Sequence, residues 1–230
     1  MNPIKKITRW LSYLLIFFLV SSTLSVVVFK YMPVYYTPLM FIRCGQQFVD
    51  GKDMKIDHEW VPLSEISHNM PQAVVASEDN RFLDHNGFDF KEIYKARLQA
   101  LEGGKVRGAS TISQQTSKNV FLWPGRTWVR KALEAYFTVL IEAVWGKERI
   151  MEVYLNSIEM GDGIYGVKAV ARHSFDKEAG DLSRREAALI AATLPDPLKR
   201  DSANPTGAII KRRNSIVDNM SKIKTVPWGK

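Results

Sequence analysis

An uncharged apolar segment near the N-terminus limits what this 230-residue chain can fold into. From Leu11 to Phe29 the sequence reads LSYLLIFFLVSSTLSVVVF, 19 residues without a charged side chain. As an α-helix this segment spans about 28 Å, close to the hydrocarbon thickness of a bilayer. Three cations and a tryptophan precede it: Lys5, Lys6, Arg9 and Trp10. By the positive-inside bias, residues 1–10 stay in the cytoplasm, residues 11–29 cross the membrane as a helix, and the remainder is exported.

A cleaved signal peptide is the alternative explanation of the same segment. Ser21, Ser22 and Ser25 are small enough for a cleavage site. However, the apolar run is longer than that of a typical signal peptide, and Phe29, Lys30 and Tyr31 follow where small residues are needed. We therefore expect an uncleaved anchor, with the main body of the protein outside the cytoplasmic membrane.

The basic charge of the chain is concentrated at its two ends. The chain has 32 Lys and Arg residues against 24 Asp and Glu residues, a formal net charge of +8. Residues 1–30 carry a net charge of +4 and residues 199–230 carry +6, whereas residues 31–198 carry −2. A protein that binds nucleic acid along its body needs a basic face there, so we expect no nucleic-acid partner. The single cysteine, Cys44, excludes an intrachain disulfide and a cysteine-rich metal site.

Apolar residues at helical spacing dominate the sequence after residue 68. Between residues 130 and 145 they recur at offsets 0, 4, 7, 8 and 11: Leu133, Phe137, Leu140, Ile141 and Val144. Gly146 ends this pattern, and further helices are predicted to begin at Asn69, Lys147 and Ser183. The body is therefore expected to be mostly α.

Residues 31–68 have a mixed pattern. They contain two prolines and several aromatic residues, and a short strand is predicted near Phe48. The aromatic residues so soon after the anchor suggest a segment that lies against the bilayer surface. A linker with a few buried aromatic side chains explains the pattern equally well.

Two adjacent carboxylates end the helix that begins at Asn69. Glu78 and Asp79 lie in the stretch ASEDNRFLDHNGFDF, which also contains Phe82 and a turn at His85. The negative end of a helix dipole favours the protonated form of a carboxyl group, and a carboxylate tuned in this way can act as a general base near neutral pH. Alternatively, both acids are solvated and Phe82 belongs to the core. The four histidines show no metal-ligand spacing, so His85 is first interpreted as a hydrogen-bonded turn residue.

No acidic residue lies between Glu102 and Glu134. This stretch contains six cations: Lys105, Arg107, Lys118, Arg126, Arg130 and Lys131. Thr111 and Gln114 form a predicted capping box, so a helix begins here and places Thr111, Gln115 and Lys118 on one face. A helix N-terminus among glycines and cations suits an oxyanion or a phosphate. A solvated polar helix face is the alternative, and Glu134 with Arg130 is also an ordinary helical ion pair.

Taken together, these segments resemble the peptidoglycan glycosyltransferase domain of glycosyltransferase family 51. The family's EDxxFxxHxG motif matches Glu78, Asp79, Phe82, His85 and Gly87. Its GxSTxTQQ motif matches residues 108–115, with Ser113 in place of the usual threonine, and the following KN pair is Lys118 and Asn119. RKxxE matches Arg130, Lys131 and Glu134; KxxILExYLN matches residues 147–156, with Met151 in place of leucine; and RxxxVLxxM loosely matches residues 212–220. No SxxK-bearing extension follows, so the chain resembles the monofunctional members and we expect no transpeptidase domain.

The resemblance implies a mostly α, lysozyme-like fold with a membrane-proximal jaw subdomain. On this basis residues 30–68 lead into the jaw, residues 69–222 form the glycosyltransferase domain and residues 223–230 form a C-terminal tail. The implied activity is polymerisation of lipid II into glycan strands for the cell wall. The implied location is the bacterial inner membrane, with one transmembrane pass and the catalytic domain in the periplasm.

The resemblance also implies residue roles. Glu78 is the general base that takes a proton from the acceptor sugar, whose oxygen attacks the anomeric carbon with inversion and displaces undecaprenyl pyrophosphate. Glu134 is a second catalytic carboxylate, which either steers the cations or assists the leaving group. The candidate substrate contacts are Asp79, Phe82, His85, Thr111, Gln115, Lys118, Asn119, Arg126, Arg130, Lys131 and Lys147.

The cofactor and partner expectations are broader. A divalent cation, Mg²⁺ or Mn²⁺, at the pyrophosphate is the one cofactor considered, and no metal ligands are assigned. The expected partners are lipid II, the growing strand, the membrane and other cell-wall synthesis proteins. Two other functions stay open: a membrane-bound lytic enzyme and a non-catalytic scaffold of the wall machinery. The basic stretch favours the transferase, because an enzyme that cleaves glycan has no pyrophosphate to stabilise.

Overall fold

The structure is a computed structural model that describes residues 3–104, 108, 110–125 and 127–230. Within these residues the α-helices are α1 (Pro3–Tyr31), α2 (Pro38–Val49), α3 (Asn69–Glu78), α4 (Phe90–Leu101), α5 (Ile112–Phe121), α6 (Trp128–Val144), α7 (Gly146–Ser157), α8 (Gly166–Phe175), α9 (Arg184–Thr193) and α10 (Gly207–Met220). The strands are β1 (Asp57–His58), β2 (Glu159–Gly161) and β3 (Ile164–Tyr165). The predicted mostly α architecture is confirmed.

Two groups of helices enclose the core. In one group α9 packs against α3 and α10, and its alanines at 187, 188, 191 and 192 are fully buried. Side chains this small let the helix axes approach closely. In the other group α5 packs against α6 and α7, with the rings of Phe121 and Phe137 stacked at a centroid distance of 4.4 Å. Gly146, at φ +76°, turns the chain between α6 and α7 as its sequence position predicts.

The strand predicted near Phe48 is wrong, because Phe48 lies in helix α2. Thr37 caps this helix by accepting a hydrogen bond from the backbone N of Met40, and Pro38 occupies its first turn. Leu39 and Met40 are buried, whereas Phe48 is exposed. The apolar residues therefore follow a helical face, which a short stretch of sequence does not distinguish from a strand.

A small sheet joins two distant parts of the sequence that were not predicted to form strands. Its order is β1-β3-β2, with β1 parallel to β3 and β2 antiparallel to β3. Strands of two or three residues are too short to show an alternating pattern, which explains why they were missed. The sheet attaches the segment before α3 to the loop after α7.

The N-terminal helix α1 is long and apolar enough to cross a membrane, with a mean hydropathy of 2.3 over its best window. Its C-terminal half also packs against the body of the protein. The Ser22 hydroxyl lies 2.8 Å from the hydroxyl of Tyr136 on α6, and Trp145 Nε1 donates to the Val26 carbonyl at 2.7 Å. Helix α1 is therefore fixed to the helix that carries Arg130 and Glu134.

Residues 223–230 fold back onto the body. The backbone N of Val226 donates to Gln72 Oε1 at 2.8 Å, and Val226 is fully buried. The backbone N of Lys230 donates to Ile66 O at 2.7 Å, and the Trp228 ring meets the Phe82 ring edge to face. This segment thus packs against helix α3, which ends at Glu78, and against the chain just before it.

Candidate active site

Glu78 is the last residue of α3, and its side chain is 13% exposed. Its Oε1 accepts a hydrogen bond from the Ser77 hydroxyl at 2.9 Å, and its Oε2 accepts one from Gln115 Nε2 on α5 at 3.3 Å. Arg212 Nη2 on α10 lies 3.6 Å from Oε1. Three helices therefore supply donors to one carboxylate that still reaches the surface.

Asp79 is buried, and its oxygens contact different groups from those of Glu78. His85 Nε2 lies 3.0 and 3.1 Å from its two oxygens, and Oδ2 accepts the backbone N–H of Ile112 at 3.0 Å. This amide is one of the orphan donors at the start of α5. Asp79 thus joins the end of α3 to the start of α5, which places Gln115 beside Glu78.

The predicted capping box at the start of α5 is confirmed. The Thr111 hydroxyl accepts the backbone N–H of Gln114 at 3.2 Å, and Gln114 Oε1 accepts that of Thr111 at 3.0 Å. The same hydroxyl donates to the Gly87 carbonyl at 2.6 Å. Gly87 has φ +87°, and a Cβ there would lie 2.8 Å from Thr138 Cγ2, so the turn requires glycine.

A cluster of cations lies along the cleft from Glu78. Arg130 Nη1 donates to Glu134 Oε2 at 2.8 Å, and Lys131 Nζ contacts Glu134 Oε1. Glu134 and Arg130 are buried, and Arg130 Nε has no hydrogen-bond partner among the described residues. Burial lowers the pKa of Lys118, and the nearby cations Arg130 and Lys131 act in the same direction, against Glu134. A partly desolvated group of cations favours an anionic ligand.

Arg43 of α2 joins this cluster, although the sequence did not point to it. Its Nε donates to the buried Glu159 at 3.2 Å, and Arg43 lines the same cavity as Lys118 and Arg130. Burial raises the pKa of Glu159, and Arg43 opposes that change. In the sequence Arg43 is a lone arginine in a segment where a short strand was predicted. Nothing in that segment therefore marked Arg43 as a residue of the site.

Three adjoining cavities make up one cleft. A cavity of about 450 Å³ extends from Glu78 and Asp79 towards α4, and one of about 280 Å³ lies between Glu78 and Gln115. The third, of about 540 Å³, extends from Gln115 to the cations. We call the part around Glu78 and Asp79 the acidic end. The cationic end is the third cavity, lined by Arg43, Lys118 and Arg130, together with Glu134, which pairs with Arg130, and Lys131.

The remaining predicted contacts occupy different positions. Asn119 is buried and lines the cavity at the cationic end. Phe82 is fully buried with Lys147 Nζ 4.5 Å from its ring centroid, and Lys147 also pairs with Glu142 at 2.6 Å. Phe82, His85 and Lys147 thus lie behind the wall of the cleft, and their substrate contacts stay predictions. Arg126 lies outside the described residues.

Comparison with known proteins agrees with this arrangement of motifs. The Transglycosylase family profile matches residues 46–221. A biosynthetic peptidoglycan transglycosylase of Bacteroides thetaiotaomicron is 55% identical over 225 residues, which cover 98% of this chain and 91% of that protein. Proteins of the same name from Caulobacter vibrioides and Bdellovibrio bacteriovorus are 47% and 46% identical, each over 93% of this chain and over 91% and 85% of their own lengths. The chain therefore belongs to the transglycosylase family.

Proposed function

We propose that this protein is a peptidoglycan glycosyltransferase that polymerises lipid II into glycan strands during cell-wall synthesis. The observation that carries the proposal is the cleft itself, in which one partly exposed carboxylate, Glu78, is separated from a group of cations by Gln115. A base and an anion site at two ends of one cleft suit the transfer of a sugar from a pyrophosphate. The family and the names of the relatives agree with this activity.

Glu78 acts as the general base in this proposal. It takes the proton from the hydroxyl of the acceptor sugar, and the oxygen attacks the anomeric carbon of the growing chain with inversion. The bond from that carbon to the pyrophosphate oxygen breaks, and undecaprenyl pyrophosphate leaves with the electron pair. The donors from Ser77, Gln115 and Arg212 hold the carboxylate in place in the cleft.

The cationic end binds the pyrophosphate of the growing chain. Lys118, Arg130 and Arg43 line the cavity, so the negative charge that develops on the leaving group meets preorganised cations. Glu134 orients Arg130 and the neighbouring Lys131, because each of its oxygens is paired, one with Arg130 and one with Lys131. Its role in this proposal is to position the cations, and assistance to the leaving group by proton transfer is not needed.

The residues at the cationic end do not suit a divalent cation. Both oxygens of Glu134 are already paired with side chains, and Glu159 is paired with Arg43. The described acidic and histidine side chains close enough to share a metal are Asp79, His85 and Asp89, which lie at the acidic end and hydrogen-bond to protein groups. The proposed reaction therefore has no step that involves Mg²⁺ or Mn²⁺.

We propose that α1 anchors the enzyme in the bacterial inner membrane, with residues 1–10 in the cytoplasm and the catalytic domain in the periplasm. The length and apolarity of α1 and the cations before it support this orientation. Both substrates carry long lipids, so an anchored site searches for them in two dimensions rather than three. Other proteins of cell-wall synthesis are the partners we would test first.

Polymerisation of labelled lipid II by the purified full-length protein tests the proposal. The Glu78→Gln variant is expected to lose at least about 100-fold in rate, as removal of a general base does. Glu148→Gln, which changes an exposed glutamate on α7, is the matched control and keeps its activity. Strands shortened rather than built would instead support the lytic enzyme. Binding of lipid II without turnover by the parent protein would support the scaffold.

A further inference from the structure

Tyr154 of α7 places a hydroxyl directly behind Gln115. The residue is fully buried, and its hydroxyl donates to Gln115 Oε1 at 3.2 Å. Burial raises the pKa of Tyr154 well above its usual value, so the hydroxyl remains a proton donor throughout the working pH range. No step proposed above uses this group.

The hydroxyl decides which way the Gln115 amide faces. A glutamine side chain has one acceptor oxygen and one donor nitrogen, so an oxygen held by Tyr154 leaves the nitrogen for Glu78. The observed distance of 3.3 Å from Gln115 Nε2 to Glu78 Oε2 corresponds to that orientation. With the amide reversed, an oxygen would face the carboxylate and disfavour its ionised form.

We infer that Tyr154 is a positioning residue that acts through Gln115 to keep a hydrogen-bond donor on Glu78 and the carboxylate aimed at the acceptor hydroxyl. This inference rests on the proposed role of Glu78 as the general base. Tyr154 does not line the cleft cavities described above, so it acts on the reaction only through Gln115.

The other groups that face Glu78 are unchanged when the Tyr154 hydroxyl is removed. Arg212 approaches from α10, the Ser77 hydroxyl from α3, and Asp79 is the next residue along the chain, with its carboxylate in contact with the His85 ring. Within the described part of the chain, the orientation of the Gln115 amide is therefore the contact that Tyr154→Phe alters.

The test compares Tyr154→Phe with Tyr136→Phe in the full-length enzyme, by measuring kcat and KM for lipid II across pH. Tyr136 is half-buried, and its hydroxyl bonds the Ser22 hydroxyl of α1 rather than Gln115, so its loss controls for a missing hydroxyl between two helices. We expect Tyr154→Phe to lower kcat roughly 5- to 20-fold with little change in KM. In this variant the acid limb of the pH profile of kcat should move to higher pH, because the Glu78 carboxylate loses a fixed hydrogen-bond donor.

A merely structural role would give different results. If Tyr154→Phe leaves the acid limb in place, or if Tyr136→Phe moves it equally, the inference is overturned. A double variant makes the test sharper. If Tyr154 acts through Gln115, adding Tyr154→Phe to Gln115→Leu should move the acid limb no further than Gln115→Leu does alone. Retained polymerisation by Glu78→Gln would overturn the role of Glu78 and this inference together. If Glu78→Gln is inactive but the pH profile of Tyr154→Phe is the same as that of the parent protein, this inference alone is overturned.

Discussion

At the acidic end of the cleft two carboxylates are each held by donors from separate segments of the chain, whereas at the cationic end several cations surround one buried carboxylate. Glu78 receives donors from α3, α5 and α10, and Asp79 joins α3 to α5. Glu134, in contrast, pairs with two cations on its own helix, and further cations come from α2 and α5. The acidic end therefore depends on individual side chains, whereas at the cationic end several cations contribute to the same positive charge.

The difference follows from what each end does in the proposed reaction. A general base must lie within hydrogen-bond reach of one proton, so the direction of a single carboxylate matters. Neutralising a pyrophosphate depends on the summed field of nearby cations, and the loss of one is partly compensated by the others. We therefore expect substitutions at the acidic end to cost more than those at the cationic end.

Asp79→Ala should have the largest effect. The substitution leaves the His85 ring and the Ile112 amide without their buried partner, at a cost of about 3–5 kcal/mol in the free energy of unfolding. It also releases α5 from α3, so we expect polymerisation to fall more than 100-fold. The measurements are thermal unfolding of the purified protein and the lipid II assay.

The control for this variant is Asp50→Ala, which changes an exposed aspartate at the end of α2. Its free energy of unfolding should change by less than about 0.5 kcal/mol. If Asp79→Ala unfolds like its control, the link from α3 to α5 is not what fixes the acidic end.

Glu134→Gln should have the next largest effect. It removes the charge that pairs with buried Arg130, so we expect a loss of about 2–4 kcal/mol in stability. KM for lipid II should rise about 10- to 50-fold, because Arg130 and Lys131 lose their orientation. Kinetics beside Glu148→Gln check this result. A fall in kcat at unchanged KM would instead indicate that Glu134 assists the leaving group.

Local features of the fold could be predicted from the sequence. The capping box of Thr111 and Gln114 and the end of α6 at Gly146 depend on neighbouring residues, and both are confirmed. The strand near Phe48 was wrong because a few aromatic residues fit either period. The three short strands depend on pairing between distant segments, which a single sequence does not show.

In the candidate site, too, local features could be predicted from the sequence and contacts between distant segments could not. The motifs placed Glu78 at the end of a helix and Thr111 at the start of another, as the structure does. The contacts between these elements, such as Asp79 to the Ile112 amide, depend on tertiary packing and carry no local signal. Arg43 was missed for the same reason, since only the packing of α2 brings it to the cleft.

Lys118→Met tests the cationic end through its pH dependence. Burial lowers the pKa of Lys118, so its charge is lost at a lower pH than that of an ordinary lysine. Substrate binding that needs this charge is present below that pKa and declines as the pH rises through it. We expect the variant to raise KM about 5- to 10-fold and Lys118→Arg to move the alkaline limb to higher pH. Lys222→Met, at an exposed lysine, is the control.

One result for Lys118→Met would contradict the proposed difference between the acidic and the cationic end. If Lys118→Met costs as much as Asp79→Ala, the cations do not compensate for one another and the cationic end also depends on a single group. An alkaline limb that is the same in the parent and in Lys118→Arg would show that this lysine does not bind substrate in its charged form.

Lys131→Ala should have the smallest effect of the four. Lys131 is 43% exposed on its side chain and contacts Glu134 from the solvent side, so its charge is already screened by water and salt. Removing it leaves Arg130 paired with Glu134, and we expect KM to rise less than about 3-fold. Kinetics at low and high salt check this, since the small effect should shrink further as salt screens the charge. A large effect that persists at high salt would place Lys131 in direct contact with the pyrophosphate, and the division of work at the cationic end would then be unequal.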